Sequence, residues 1–186
     1  MARAAEAKAA QTWIALLRAI NLGSRNRIAM GELRRVFAET GCDDVRTYIA
    51  SGNVVFTGAW ADPHKLARRL ERAVAEACGV HSTVILRTAD ELARLVRAKP
   101  FDDDASRTHV TFLAEKPERA RVEALKRLDV APDRFRVRGA DVVLHYPNGV
   151  QGSRLTAALL ERELGVAGTN RTWKTVAKLA ELAGSG

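Results

Sequence analysis

The sequence contains little cysteine and histidine, and it has no long apolar run. Its two cysteines, Cys42 and Cys78, form no Cys-x-x-Cys motif and have no adjacent histidine, so no metal cage is expected. No apolar run approaches the roughly 20 residues of a membrane helix. The alanine-rich start carries Glu6 and Lys8, where a signal peptide would be apolar. We therefore expect a cytoplasmic protein without metal or cofactor.

The chain does have an excess of positive charge. Thirty Lys and Arg against 22 Asp and Glu give a formal charge of +8 and a pI near 10.1. Such a balance suits a polyanionic partner, although no block of basic residues stands out. With 186 residues, 47% of them hydrophobic, the chain can bury one sizeable core or two small ones.

The apolar pattern of the first half predicts the order β-α-β-β-α-β-α. Thr12 to Arg18 is apolar on both faces of a strand, which is typical of a central strand covered on two sides. After the first helix, the run from Arg46 to Phe56 predicts a hairpin in which Gly52 supplies the positive φ of the turn. Three helices are predicted in this half. The first contains Leu33, Val36 and Phe37 and ends before Gly41, and the second runs from Asp62-Pro63 to Gly79. The third begins at the capping box Thr88–Glu91.

The same order recurs after Pro100 and the acidic run at 102–104. The predicted elements are a strand at 108–113, a helix from Pro117, hairpin strands at 134–138 and 142–146, a helix capped by Ser153 and ended by Gly165, a weak strand at 166–168, and a last helix bearing Trp173. The second half is therefore expected to repeat the first in pattern, with little residue identity between them.

Two such copies predict an α+β fold of two tandem ferredoxin-like (βαββαβ) subdomains, each followed by an extra helix. The expected boundaries are a flexible extension at 1–11, a first subdomain at 12–98, a linker at 99–107 and a second subdomain at 108–186. Helices cover one sheet face in such a unit. The apolar second face of the first sheet is therefore expected to be covered by the second subdomain or by another chain.

Several motifs together resemble a bacterial family catalogued as domain of unknown function 1697. They are Ala15–Asn21, Val45–Ile49 with Ser51–Phe56, His109–Leu113, His145–Gly149 and Arg171–Val176. The resemblance extends from about Trp13 to Leu182 and implies a small cytoplasmic α+β protein without an assigned activity. The family usually has Gly where this chain has Ala19 and Asn where it has Thr172. Either difference would alter binding if the position touched a ligand.

Three polar segments beside predicted helix starts, at 21–27, 148–154 and 169–171, are candidate anion sites. Glycines let backbone N–H groups approach a ligand, and arginines near a helix N-terminus favour an anion. If the subdomains faced each other, the three segments could converge on one phosphate-bearing ligand. Plain helix capping is the alternative for Ser153 and Asn170, and packing is the alternative for the tyrosines. With the neighbouring hairpin, the candidates are Arg18, Asn21, Gly23, Ser24, Arg25, Arg27, Arg46, Tyr48, Ser51, Asn53, Tyr146, Asn148, Gly149, Ser153, Arg154, Asn170 and Arg171.

A second candidate site lies on the predicted second sheet. Strand alternation places His109 on one face of its strand and both Asp141 and His145 on one face of the hairpin strand. If these faces coincide, the three side chains form an acid/base cluster or a weak metal site. A histidine at the surface or satisfied in the core is the alternative.

Three functions follow from these observations. The first is binding of a phosphate-bearing ligand, a nucleotide or nucleic acid, through the basic glycine-containing loops. The second is a homodimeric interaction or scaffold protein that pairs through its apolar sheet face. The third is an enzyme that uses His109, His145 and Asp141. Stacking of RNA bases on the sheet is disfavoured, because Ser51–Phe56 lacks the required aromatic spacing.

Overall fold

The computed structural model describes residues 9–98, 101 and 105–184. The predicted extension at 1–11 lies outside this part before residue 9, and the predicted linker at 99–107 lies outside it except for Phe101 and 105–107. Contacts divide the chain into two units. One runs up to Glu91 and takes in the chain from Glu181, and the other runs from Leu92 to Ala180.

The first unit contains a four-stranded antiparallel sheet in the order β2-β3-β1-β4. This is the strand order of a ferredoxin-like βαββαβ unit, and β1 pairs with both β3 and β4. The elements are β1 (Gln11–Leu17), α1 (Met30–Glu39), β2 (Asp43–Tyr48), β3 (Asn53–Gly58), α2 (Pro63–Cys78) and β4 (Val84–Thr88). The helix α3 (Ala89–Arg97) follows β4, and its residues from Leu92 belong to the second unit.

The second unit repeats this arrangement with the strand order β6-β7-β5-β8. A 3-10 turn at Ala105–Arg107 precedes its first strand. The elements are β5 (Thr108–Leu113), α4 (Arg119–Lys126), β6 (Arg134–Arg138), β7 (Asp141–His145), α5 (Ala157–Leu164) and β8 (Gly168–Thr172). The helix α6 (Trp173–Gly184) follows β8, and its residues from Glu181 belong to the first unit. The predicted α+β fold, with two tandem ferredoxin-like units and an extra helix after each, is confirmed.

The first core lies between one face of its sheet and helices α1 and α2. Trp13, Ala15 and Leu17 of β1 belong to one buried cluster with Leu33 and Leu66. The opposite face of the strand is buried as well, because Ile14 and Leu16 are 0% exposed. This is the burial expected of a strand covered on both sides.

The second core contains alternate residues of its sheet and apolar residues of α4 and α5. Leu113, Val142 and Leu144 cluster with Leu125 and Leu160.

Among the described residues, no helix is both long enough and apolar enough to cross a bilayer.

Helix ends in the first unit follow the predicted signals. The Asp62 carboxylate accepts hydrogen bonds from the backbone N–H groups of His64 and Lys65 at 2.9 and 3.1 Å, and Gly79 ends α2 with a φ of 66°. Thr88 and Glu91 form the expected reciprocal capping box. The Thr88 N–H donates to the Glu91 carboxylate, and the Glu91 N–H donates to the Thr88 hydroxyl.

Two predicted features of the second unit are wrong. Ser153 does not cap α5, because the helix begins later and the Thr156 hydroxyl accepts the cap bond from the Leu159 N–H at 3.1 Å. The expected last strand exists, but it is β8 at Gly168–Thr172 and not the segment at 166–168. Asn170 therefore lies within a strand and is not the cap of the last helix. Since β8 is rich in Thr, Asn and Arg, hydrophobic periodicity did not reveal it.

Candidate functional site

The side chains of two asparagines hold the β1–α1 loop, residues 18–29, in place through hydrogen bonds. The Asn21 side chain donates to the carbonyl oxygens of Ile28 at 3.1 Å and Ala50 at 2.8 Å, and it accepts a hydrogen bond from the Ile28 N–H at 2.8 Å. The Asn26 side chain donates to the carbonyl oxygen of Ala19 at 2.9 Å. These bonds fix the loop internally and join it to the β2–β3 loop that contains Ala50.

The same two loops contain several non-glycine residues in the left-handed region. Ala19, Asn21, Asn26 and Ile49 have φ values of 55°, 53°, 50° and 49°. Asparagine tolerates this conformation, but alanine and especially a β-branched isoleucine are strained by it. Strained backbone of this kind tends to cluster at functional sites. The strained backbone therefore makes these two loops a candidate binding site.

A cavity of about 600 Å³ lies beside these loops, at the N-terminus of α1. The residue before the helix is Ala29, whose side chain makes no cap hydrogen bond. The first backbone N–H groups of a helix have no partner within the helix, so they remain available here. The lining residues are Asn21, Gly23, Arg27, Ile28, Ala29, Met30 and Ala50.

Only part of the predicted loop lines this cavity. Asn21, Gly23 and Arg27 line it, whereas Ser24 and Arg25 lie in an exposed turn closed by the Arg25 N–H donating to the Leu22 carbonyl oxygen at 3.1 Å. Sequence reasoning missed Ile28, Ala29, Met30 and Ala50. Ala29 did leave a signal, since no Ser, Thr, Asp or Asn stands where a cap is usual, but Ala50 left none.

The predicted residues of the β2–β3 hairpin do not line the cavity. Asn53 is fully buried and donates to the Tyr48 carbonyl oxygen at 3.0 Å and the Ser51 hydroxyl at 2.9 Å. These bonds shape the turn. Arg46 pairs with Val55 across the two strands, and its Nε atom is buried without a hydrogen-bond partner. Arg18 follows β1, and its N–H donates to the Thr83 carbonyl oxygen at 3.0 Å.

The segment from Asn148 to Arg154 lines a separate cavity of about 340 Å³ in the second unit. The Ser153 hydroxyl donates to the Asp133 carboxylate at 2.6 Å, and Arg154 forms an ion pair with Asp129 at 3.5 Å. Asn148 and Gly149 also line this cavity. Two carboxylates in the lining oppose the entry of an anion.

The third predicted segment belongs to a strand and is not a loop. The Asn170 side chain donates to the Thr111 hydroxyl at 3.1 Å and lies 2.9 Å from the Nδ1 atom of His109. Arg171 is buried and donates to the Thr169 hydroxyl at 2.7 Å. Burial lowers the pKa of Arg171 to about 10. The three predicted segments therefore do not provide three loops around one ligand, because the third segment is part of β8.

The predicted cluster of His109, His145 and Asp141 does not form. In the register of β5 and β7, His109 lies opposite Leu144 and His145 lies opposite Thr108. Since residues opposite each other share a face and neighbours alternate, the two histidines point to opposite faces of the sheet. The condition for the cluster, that the two strand faces coincide, is therefore not met. In the described part of the chain, no group of three or more His, Cys, Asp or Glu side chains is arranged to hold a metal ion.

Tyr146 packs in the second core. Its hydroxyl donates to the Leu155 carbonyl oxygen at 3.0 Å, and its ring contacts His109 edge to face with centroids 5.3 Å apart. Burial raises the pKa of Tyr146 to about 12. These contacts favour the packing alternative over a role in lining a pocket.

The fold and this site define a protein of two tandem ferredoxin-like units with a braced polar loop at the first helix. The chain belongs to the family described as protein of unknown function (DUF1697), whose model matches residues 10–142. The conserved bacterial protein SP0830 from Streptococcus pneumoniae has a similar structure, with a TM-score of 0.76 and 22% identity over 94% of this chain and 99% of that one. This likeness shows the fold alone. A comparison with curated proteins found no match.

Proposed function

We propose that the cavity at the N-terminus of α1 binds a phosphate-bearing ligand, either a nucleotide or nucleic acid, through the basic glycine-containing β1–α1 loop. The observation that carries the proposal is the meeting of Arg27, Gly23 and an uncapped helix N-terminus in one cavity lining.

The helix end supplies the main attraction in this proposal. The first N–H groups of α1 carry the positive end of the helix dipole, and Ala29 offers no side-chain oxygen to occupy them. An anion placed there gains several backbone donors at once. Arg27 is exposed and adds a full positive charge with a forked set of donors, which matches a phosphate group.

Bracing of the loop lowers the cost of binding. The Asn21 side chain makes three hydrogen bonds that span the loop and reach Ala50. A loop that is already ordered loses less conformational freedom when a ligand arrives. The second cavity is a poorer candidate because Asp129 and Asp133 line it.

The test is a titration of the protein with pyrophosphate, ATP and a short oligothymidylate, followed by calorimetry and by the thermal unfolding midpoint. Arg27→Gln removes the charge, and Ala29→Asp places a carboxylate at the cap position. Both should weaken binding at least tenfold, although Ala29→Asp should also stabilise the unliganded protein by about 1 kcal/mol through capping. The matched control is Arg119→Gln, on the exposed surface of α4 in the second unit.

Two results would overturn the proposal. One is the absence of saturable binding to all three probes, and the other is equal affinity in the wild type and both α1 variants. Oligothymidylate binding that falls steeply with salt would assign the site to nucleic acid. Retention of ATP alone would assign it to a nucleotide.

A further inference from the structure

The first unit contains another cavity, of about 530 Å³, between α2 and the segment that leads into β4. We call it the α2 groove. It is lined by Arg68, Glu71, Arg72, Ala75, His81, Ser82 and Thr83. None of these residues belongs to the cavity at α1.

Hydrogen bonds hold the two sides of the α2 groove in place. The Glu71 carboxylate on α2 accepts a hydrogen bond from the Val84 N–H at 2.8 Å, which fixes the helix against the start of β4. The Ser82 hydroxyl donates to the carbonyl oxygen of Arg18 at 2.7 Å. The groove is therefore bounded by positioned backbone on the strand side and by one helix face on the other.

The lining of the α2 groove carries more positive than negative charge. Arg68 and Arg72 are four residues apart on α2, so their side chains project from the same helix face. Neither guanidinium forms an ion pair or hydrogen bond within the described ranges 9–98, 101 and 105–184. The only carboxylate in the lining is that of Glu71, which already accepts the Val84 N–H.

Like charges at this spacing destabilise a helix slightly. An anion between them removes that repulsion and gains two charge-assisted donors. His81 and the hydroxyl of Thr83 stand on the opposite side of the groove and supply further hydrogen-bonding groups. This combination of donors matches a group that carries more than one negative charge.

We propose that the α2 groove is a second anion site, which takes a phosphate or diphosphate group between Arg68 and Arg72 on one side and His81 and Thr83 on the other. The group belongs either to a small phosphorylated molecule or to the backbone of a nucleic acid. The proposal does not depend on the cavity at α1, since the two linings share no residue.

The experiment compares the wild-type full chain with the double variant Arg68→Gln/Arg72→Gln and the single variant His81→Ala. The probes are pyrophosphate, followed by calorimetry, and a short labelled oligothymidylate, followed by fluorescence anisotropy. The matched control is Arg94→Gln/Arg97→Gln on α3, which removes the same charge from two other exposed arginines. Each variant is examined in the Arg27→Gln background too, so that binding at α1 does not obscure the result.

We expect the groove double variant to lose at least tenfold in affinity for one or both probes. His81→Ala should lose affinity by a smaller factor, and the affinity of the control should stay within twofold of wild type. Loss confined to pyrophosphate identifies a small ligand, and loss confined to oligothymidylate identifies a nucleic-acid backbone. Without probe, the double variant should unfold at the same temperature as wild type or slightly above it, because repulsion is relieved.

Two results overturn the proposal. They are the absence of saturable binding to both probes in the Arg27→Gln background, and equal loss of affinity in the groove and control variants. If the groove variants change binding but Arg27→Gln and Ala29→Asp do not, only the function proposed for the cavity at α1 fails.

Discussion

Asn21 Nδ2 donates a 2.8 Å hydrogen bond to the carbonyl oxygen of Ala50, a residue 29 positions away in the next loop. The same side chain donates to the Ile28 carbonyl oxygen and accepts from the Ile28 N–H. Asparagine suits this position because it offers a donor and an acceptor on a short side chain and tolerates the left-handed backbone. One side chain therefore joins the two loops beside the cavity at α1.

Two substitutions of Asn21 should separate the stability contributed by its hydrogen bonds from the cost of its backbone conformation. Asn21→Ala loses three hydrogen bonds and keeps the strained φ of 53°, so we expect a loss of about 2–4 kcal/mol in the free energy of unfolding. Asn21→Gly loses the same bonds but adopts that φ freely, so it should be less damaging by about 1 kcal/mol. Urea denaturation measures both. Equal losses would show that the backbone conformation costs nothing here.

Ala19 should be improved by glycine. Its φ of 55° strains an alanine, and the resemblance to the family leads us to expect glycine at this position. Ala19→Gly should therefore raise the free energy of unfolding by about 1 kcal/mol, net of the added freedom of the unfolded chain. The control is Ala38→Gly, an exposed position inside α1, which should lower stability by about 1 kcal/mol. A loss in both variants would contradict the prediction.

The order of elements could be predicted because most of them carry a periodic apolar pattern and an end signal. Asp62, Gly79 and the Thr88–Glu91 box are local signals, and the structure realises each of them with the expected hydrogen bonds or backbone angle. The exception is β8, whose burial depends on polar side chains. Asn170 is satisfied by Thr111 across the sheet, a partner 59 residues away that no local window contains.

The candidate site could be predicted only where the loop sequence itself forms the site. Asn21, Gly23 and Arg27 line the cavity as residues of one loop, whereas Ala50 comes to it through a tertiary hydrogen bond. The position of His109 relative to His145 depends on strand register, which pairing with β7 decides. A shift of one residue reverses every side chain, so alternation within each strand did not predict the relation between them.

Tyr146 gives a prediction at alkaline pH. Burial raises its pKa to about 12, above its ordinary value near 10, so the folded state holds the phenolic proton more tightly. The stability that this contributes is complete below pH 10 and is lost as the pH rises from 10 to 12. Tyr146→Phe should remove this part of the pH dependence and cost about 1 kcal/mol at neutral pH, because the hydrogen bond to Leu155 is lost.

Urea unfolding of both proteins between neutral pH and pH 11.5 tests this prediction, and tyrosinate absorbance reports the titration directly. A wild-type decline above pH 10 that persists unchanged in Tyr146→Phe would assign the alkaline loss to another group. Late ionisation of one tyrosine in the folded wild type, absent from the variant, would support the assignment.

Gly52 and Gly23 form a matched pair for the last prediction. Both have a positive φ, 79° and 60°, so an alanine is strained at either position. A Cβ at Gly23 would meet nothing within 4 Å, whereas a Cβ at Gly52 would lie 2.8 Å from the Cβ of Leu17 and 2.9 Å from Ile20. Leu17 is fully buried in the first core, and its Cβ moves only with the backbone of β1.

Gly23→Ala should therefore cost about 1 kcal/mol from backbone strain alone, and Gly52→Ala about 3 kcal/mol, because overpacking against the central strand is added to the same strain. Urea denaturation of the two variants gives the difference directly. If they lose equal stability, the β2–β3 turn can move away from β1. The close approach of Gly52 to Leu17 would then not be what requires glycine in this turn.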